Sequence, residues 1–520
     1  MSLFRNFVSV GSLTLVSRIA GFVRDALMAA VLGTGPAADA FFAAFRFPNL
    51  FRRLFAEGAF NTAFVPMFSG ALEQEGPDGA RLLAARIMSW LVAILLLVTL
   101  LAEIFMEQVL VPFVPGFTDD PDKFALTVLL TRIMFPYLAC MSLMAAYAAI
   151  LNSLGRFFAA AFAPVLLNLV NIAVLVPLVT FAAQSPESAA VWVAAATMAG
   201  GLAQLGLVWA AIRRAGFVPR FRLPRLDPEV RRFWFLAVPA ILTGGITQIN
   251  IFVGTIIASG AAGAIAILNY ADRLYQLPLG IIGIAIGTVL LPELSRHLKG
   301  GRDAEARASQ DQALFVSMLL TMPAAIALIA LAEPIVRVLF ERGAFTPLAT
   351  RQTAEALVAF SAGLPAYVLI RVLQPGFFAR EDTLTPTLFA AANVAANIAV
   401  SLWLFPSLQH VGIAVATAVS AWLNVLLLGG TLAWRRHFAL TGRQWRAQGA
   451  ILAVSLVMGG ALFILAGRGS GYLASGAPLW QQAGVLAVLV AFGMVTYFTL
   501  VHITGTQPLG LLLRRLRRGG

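Results

Sequence analysis

Ten ionised side chains interrupt stretches of the chain that are otherwise apolar: Arg18, Arg24, Asp25, Asp39, Arg46, Arg52, Arg53, Glu57, Asp272 and Arg273. An arginine at the centre of a bilayer costs about 2.5–3.5 kcal/mol on insertion scales, so such a residue usually faces a charged partner or a wet cavity. Its planar fork is also the group best matched to the oxygens of a phosphate. Spacing suggests some pairs. Arg18 and Asp25 lie seven residues apart, on nearly one helix face, while Asp39, Arg46, Arg53 and Glu57 form one stripe at spacings of 7, 7 and 4. Internal salt bridges would then join Arg53 to Glu57, Arg24 or Arg18 to Asp25, and Arg46 to Asp39. Six arginines against four carboxylates leave two positive charges over. A cavity with that surplus suits an anionic ligand. Arg46, Arg132 and Arg371 could instead reach the membrane interface by their long stems.

Two further sets of polar residues have a bland and a sharp reading. Asn393 and Asn397 share a helix face, as Asn168 and Asn171 do earlier in the chain. Buried amides of this kind bond helix to helix, or their oxygens build an ion site. Asp119, Asp120 and Asp122 look like a diphosphate-binding acidic motif, but their position just before an apolar run suits turn and capping roles. Other chemistries are excluded more firmly. Cys140 is the only cysteine, which rules out an intramolecular disulfide or a thiolate cluster. His297, His410, His437 and His502 are scattered, with no metal-ligand spacing. No metal and no organic cofactor is expected.

The elements that must carry these residues are membrane helices. The 520 residues are 60% hydrophobic and only 12% charged, and the mean hydropathy is +0.85. Such a chain has too little polar surface to cover a soluble core. Runs of about twenty apolar residues, enough to span hydrocarbon, predict helices over 7–32, 38–70, 84–111, 124–151, 157–182, 189–212, 231–257, 263–295, 309–332, 350–379, 386–405, 411–434, 446–467 and 480–504. The fold class expected is an all-α integral membrane protein with about fourteen transmembrane helices. The net charge of +13 sits in short segments between the spans rather than in a nucleic-acid-binding patch. With the N-terminus inside, twenty-four of the Lys and Arg residues fall on the inner side and five, Lys123, Arg337, Arg342, Arg351 and Arg468, on the outer. Both termini are therefore expected to be cytoplasmic.

A faint internal repeat organises the helices. Thr62-x3-Pro66-x2-Ser69 recurs as Thr288-x3-Pro292-x2-Ser295, Pro136 has a counterpart in Pro365, and Pro164-x6-Asn171 recurs as Pro386-x6-Asn393. The matches predict two pseudo-symmetric six-helix lobes, 1–212 and 231–436. A basic cytoplasmic linker, 213–230, joins them, and 437–520 supplies two extra helices and a basic tail. Two like lobes with a path between them are a transporter architecture.

At this point the sequence resembles a known family. "SRIAGFVRDALMAAVLG" (17–33), "DAFFAAFRFPNLFRRLFAEGAFNTAFVP" (39–66) and "YADRLYQLPLGIIGIAIGTVLLPELS" (270–295) are similar to the MurJ (MviN) lipid II flippases. So are "FAPVLLNLVNIAV" (162–174) and "QPGFFAREDTLTP" (374–386). That family belongs to the multidrug/oligosaccharidyl-lipid/polysaccharide exporter superfamily. The resemblance implies a V-shaped bundle that alternates between inward- and outward-facing states in the bacterial inner membrane. Its substrate would be lipid II, the undecaprenyl-diphosphate-linked disaccharide-pentapeptide needed outside for peptidoglycan. It places substrate-binding charges on Arg18, Arg24, Asp25, Asp39, Arg52 and Arg273; the Arg53–Glu57 pair suggested by spacing would be a supporting salt bridge. Some members bind sodium through acidic residues in helices 7 and 11. The corresponding positions here offer Asn250, Asn393 and Asn397, so sodium is doubtful, and the membrane potential or another ion gradient is expected to drive transport. The expected partners are lipid II, membrane lipids and the cell-wall synthesis machinery, with the protein acting as a monomer and without nucleic acid. The rival readings are a flippase for another polyprenyl-linked glycan, a related drug exporter, a non-transporting scaffold, and a membrane-embedded polyprenyl-diphosphate enzyme. The enzyme would require clustered carboxylates better placed than Asp119, Asp120 and Asp122.

Overall fold

The computed structural model describes residues 3–52, 61–181, 185–220, 223–438 and 440–505. All regular structure among them is helical. The chain packs into two compact units, one of Met1–Ala266 with Arg342–Phe345 and the other of Ile267–Glu341 with Thr346–Gly520.

The first unit holds α1 (Leu3–Leu32), α2 (Pro36–Arg52), α3 (Asn61–Gln74), α4 (Gly76–Ile104) and α5 (Met106–Leu110). After a single 3-10 turn at Pro115–Phe117 come α6 (Pro121–Met134), α7 (Tyr137–Ser153), α8 (Phe158–Phe181), α9 (Pro186–Arg214) and α10 (Pro228–Ser259). The expected span 124–151 is broken into α6 and α7 at Phe135–Pro136 because proline lacks the N–H that would continue the ladder. Helix packing is close where glycine allows it. A methyl group on Gly201 of α9 would strike the Tyr137 ring of α7, so Gly201 lets those two helices approach. Packing places α10 in this unit, whereas the repeat predicts a division at 213–230. The reason lies in the contacts α10 makes. Arg86 of α4 pairs with Asp227 (3.1 Å) and Glu229 (2.6 Å), the Trp90 indole donates to the Arg225 carbonyl (3.0 Å), and Phe252 of α10 lies against Phe113.

The second unit takes most of α11 (Ala264–Lys299), then α12 (Asp303–Ala330), α13 (Ala332–Phe340), α14 (Pro347–Phe378), α15 (Leu384–Trp434), α16 (Gly442–Arg468) and α17 (Leu479–Ile503). The two spans expected at 386–405 and 411–434 are the arms of α15, which reverses at Gln409 (φ 47°, ψ −125°) three residues after Pro406. That the arms lie side by side is shown by Asn397, whose amide donates to Thr417 and Ser420 on the other arm at 3.2 and 3.3 Å. One core of this unit gathers Leu290, Leu314, Val372, Phe377 and Leu432 from α11, α12, α14 and α15. A second joins α12 to α16 and α17 through Leu319, Met458, Leu462 and Tyr497. The Tyr497 hydroxyl is satisfied inside it by the Leu319 carbonyl at 2.7 Å.

Among the described residues nine helices are long and apolar enough to cross a membrane, the double-armed α15 counting once. Many of their leucines, phenylalanines and tryptophans face outward, as Leu97, Phe181, Leu426 and Val495 do. The chain is a multi-pass membrane protein.

Candidate binding site

In the first unit the arginines of α1 and α2 are held in different ways. Arg24 is half-buried, and its Nε and Nη2 both donate to Asp25 Oδ1, at 3.0 and 2.7 Å. Its third nitrogen, Nη1, donates to Asn168 Oδ1 of α8 at 3.0 Å. Asn168 is fixed in turn, its amide donating to the Ser17 carbonyl at 3.0 Å. Gly21 faces it, and a Cβ there would stand in ordinary contact, 3.4 Å from the Asn168 amide nitrogen. The guanidinium is thus locked in one orientation by two helices. Arg18, which the seven-residue spacing also offered to Asp25, is exposed on α1. Arg52 donates through Nε to Asn49 Oδ1 at 3.0 Å.

Asp39 is the largest departure from the spacing argument. It is 0% exposed, and its partner is Lys123 Nζ at 2.8 Å rather than Arg46. Its carboxylate also accepts from the backbone N–H groups of Gly263 (2.8 Å) and Ala266 (3.0 Å), so it caps the buried N-terminus of α11. A carboxylate there is favoured by both the unpaired amides and the helix dipole. Lys123 lies over the Phe117 ring, 3.8 Å from its centroid, which removes that ammonium from solvent as well. Arg46 instead donates to the Thr255 hydroxyl of α10 at 3.3 Å. Sequence reasoning left Lys123 among the outer loop charges. Its signal was its rarity, for Lys123 and Lys299 are the only lysines in the chain. Arg132 lies within electrostatic range of Glu103, a carboxylate that the counting over helices 1, 2 and 8 did not include. Arg53 and Glu57 lie outside the described residues.

In the second unit Arg273 is half-buried on α11, next to Asp272, which accepts from Gln276 one turn on. The Tyr275 ring stacks near Tyr367 and Phe360, with centroids 5.4 and 5.0 Å away, and fixes this part of α11 on α14. Arg371 runs its stem along α11 at Gly283, where a Cβ would come within 2.8 Å of Arg371 Cδ.

The amides behave mainly as helix-to-helix ties. Asn171 accepts from Thr197 of α9 at 3.1 Å, and Asn397 Oδ1 is taken by Ser401 at 3.2 Å. Asn393 Oδ1 and Asn250 Oδ1 are buried without a hydrogen-bond donor. They belong to different units. Asn424 Oδ1, on the second arm of α15, is also buried without a hydrogen-bond donor. Of the three aspartates before α6, Asp120 accepts from the Lys123 backbone N–H at 3.1 Å and caps that helix.

Comparison with known proteins places this arrangement in a family. The family model described as lipid II flippase MurJ matches residues 28–482. The chain belongs to the MurJ family. The probable lipid II flippase MurJ of Rhizobium meliloti (strain 1021) is 48% identical over 520 residues, covering 100% of this chain and 97% of that protein. Among solved structures, a lipid II flippase MurJ in an inward closed conformation superposes with a TM-score of 0.79 at 25% identity, covering 96% of this chain and 98% of the other. An inward-facing multidrug resistance MATE family transporter of the MOP superfamily shares the fold, with a TM-score of 0.65 at 15% identity, covering 82% of this chain and 98% of the other.

Proposed function

We propose that this MurJ-family chain flips lipid II, a polyprenyl-diphosphate-linked peptidoglycan precursor, from the inner to the outer leaflet of the bacterial cytoplasmic membrane. The observation that carries the reading is the electrostatics of α1 and α2 in a chain of this family. Lys123 neutralises Asp39, and Arg18, Arg24, Arg46 and Arg52 stand with Asp25 on these two helices. A cluster of guanidinium groups in a membrane domain fits a diphosphate, and it opposes a cationic drug.

The mechanism is positional. Arg24, held by Asp25 and Asn168, offers a preset orientation to the diphosphate, so little side-chain entropy is lost on binding. Arg18, Arg52 and Arg273 supply further charge, while the polyprenyl tail stays in lipid. Alternating access then exposes the headgroup on each side in turn, with no covalent step and no cofactor. The membrane potential is the simplest driving force, since one charge moved through 100 mV is worth about 2.3 kcal/mol. Both termini are cytoplasmic in this reading, because the opposite orientation would put most of the basic residues outside. A flippase for another polyprenyl-linked glycan would use the same charges. Depletion in the native bacterium separates the two: lipid II should accumulate on the inner leaflet and cells should round or lyse. An unchanged lipid II distribution, in a strain lacking any second flippase, would favour the other glycan.

A further inference from the structure

The cytoplasmic end of the second unit carries positive charge that the transport site does not use. Three parts of the chain meet there over one apolar floor. Ala306 at the start of α12, Phe377 and Ala379 at the end of α14, and Phe438 and Leu440 in the α15–α16 connection all join the same core. On that floor Arg307, Arg380 and Arg435 converge on His437, with Asp303 as the one carboxylate acting on the imidazole. Of the other carboxylates at this end, Asp382 is held by Arg435 at 2.6 Å and by Thr385, Asp311 accepts from the Gln444 amide of α16 at 2.8 Å, and Glu381 adjoins Arg380. Arg436, Arg443 and Arg446 extend the basic surface, all three exposed. Burial first, and then Arg380, Arg435 and Arg307, hold the His437 imidazole below its ordinary pKa.

Two tryptophans mark the depth of this surface. Trp434 ends α15 and is 82% exposed, and Trp445 lies in the first turn of α16 and is 63% exposed. A tryptophan so exposed at the end of a membrane helix is characteristic of the headgroup region, where its ring meets apolar chains and its N–H meets water or ester oxygens. Arginines beside it lie at the level of lipid phosphates.

We propose that the surface formed by Arg307, Arg380, Arg436, Arg443 and Arg446 between Trp434 and Trp445 binds the headgroup of an anionic phospholipid of the inner leaflet. The occupant is argued from charge and depth together. Positive charge in a soluble loop would accept any anion, but flanking tryptophans at the ends of two spans select an anion that belongs to the membrane. A basic side chain near an anionic leaflet contributes a recognisable increment to binding, which falls with ionic strength.

The test is lipid retention by the purified full-length chain, followed by native mass spectrometry and by thermal melting in detergent. The probes are phosphatidylglycerol, phosphatidylcholine and inorganic phosphate. Phosphatidylglycerol should bind and stabilise more than phosphatidylcholine, and inorganic phosphate at equal concentration should do neither. The triple variant R307Q/R436Q/R446Q should bind phosphatidylglycerol about a hundredfold more weakly, with an unchanged melting temperature in phosphatidylcholine. A control triple variant in the other unit, R213Q/R214Q/R231Q, should keep the preference. Should R307Q/R436Q/R446Q melt early, R443Q/R446Q replaces it, because both residues are exposed in the first turn of α16 and should lose about twenty-five-fold. Equal stabilisation by both lipids would overturn the proposal, as would full retention of the preference by the variants, an equal loss in the control, or an equal effect of inorganic phosphate.

Discussion

Asp39 and Lys123 show how tertiary packing redistributes charges that sequence spacing can only count. Asp39 lies on the helix stripe with Arg46, and the i, i+7 relation made that pairing reasonable. Lys123 is 84 positions away in sequence, and no local periodicity connects them. A buried pair of this kind costs much desolvation, and removing one partner typically costs 3–5 kcal/mol because the other charge is stranded. Lys123→Ala should therefore lower the melting temperature of the purified protein sharply. Lys123→Met with Asp39→Asn should recover a large part of that loss, since neither charge then remains. A double variant no more stable than the single one would show that the pair is not the source of the effect. Arg24 makes the opposite case. Its bond to Asp25 was readable from adjacency on one helix, and its anchoring on Asn168 was half-readable, as one of several amides suited to tying helices together. Arg273→Ala should fail to complement a depleted strain while reaching normal levels in membrane immunoblots, because losing an intramembrane charge does not hinder insertion. Arg24→Ala strands the buried Asp25, so it should fail too, with some loss of protein. Arg24→Ala with Asp25→Asn should restore the level but not the activity. Arg24→Lys should complement partially, keeping charge but losing the fork. Normal complementation by both alanine variants, or loss of protein as their only defect, would remove these arginines from the binding role.

Among the elements, long apolar runs were the most legible feature and their interruptions the least. The span boundaries agree closely with α8, α9, α14, α16 and α17, because twenty or more apolar residues leave few alternatives to a membrane helix. The reversal within α15 was placed correctly at 405–411 by the polar residues there. The breaks at Phe105, Pro136 and Leu331 fell inside apolar runs and left little compositional trace. The turn from α14 to α15 has its own polar fastening. Asp382 accepts from the Thr385 N–H at 3.0 Å and from Arg435 at 2.6 Å, and those bonds hold its carboxyl at about 2, below the ordinary 3.8. A depressed folded-state pKa stabilises above the ordinary value and loses that contribution as pH falls toward 2. This carboxylate is part-exposed and screened by solvent, so the expected contribution is modest, about 0.5–1 kcal/mol. The melting-temperature gap between the native chain and Asp382→Asn should be constant from about pH 5 to 8 and shrink below about pH 4. A gap that grows on acidification would contradict the assignment.

For the molecule as a whole, membrane residence and helical class followed from composition, and the transport reading followed from the arginines and the family motifs. The grouping of α10 with the first unit was not legible, since it depends on the Arg86, Trp90 and Phe252 contacts rather than on any repeat. Arg53 and Glu57, the expected supporting pair, fall outside the described residues, so their role rests on sequence alone. The central claim is that the purified chain by itself moves lipid II between leaflets. It is tested most directly by reconstituting the protein into liposomes with fluorescent lipid II and measuring how much headgroup an external reagent can reach over time. The native chain should expose inner-leaflet lipid II well above the protein-free rate, and Arg24→Ala at equal incorporation should not. Headgroup access indistinguishable from protein-free liposomes, with and without an imposed membrane potential or ion gradient, would contradict the account.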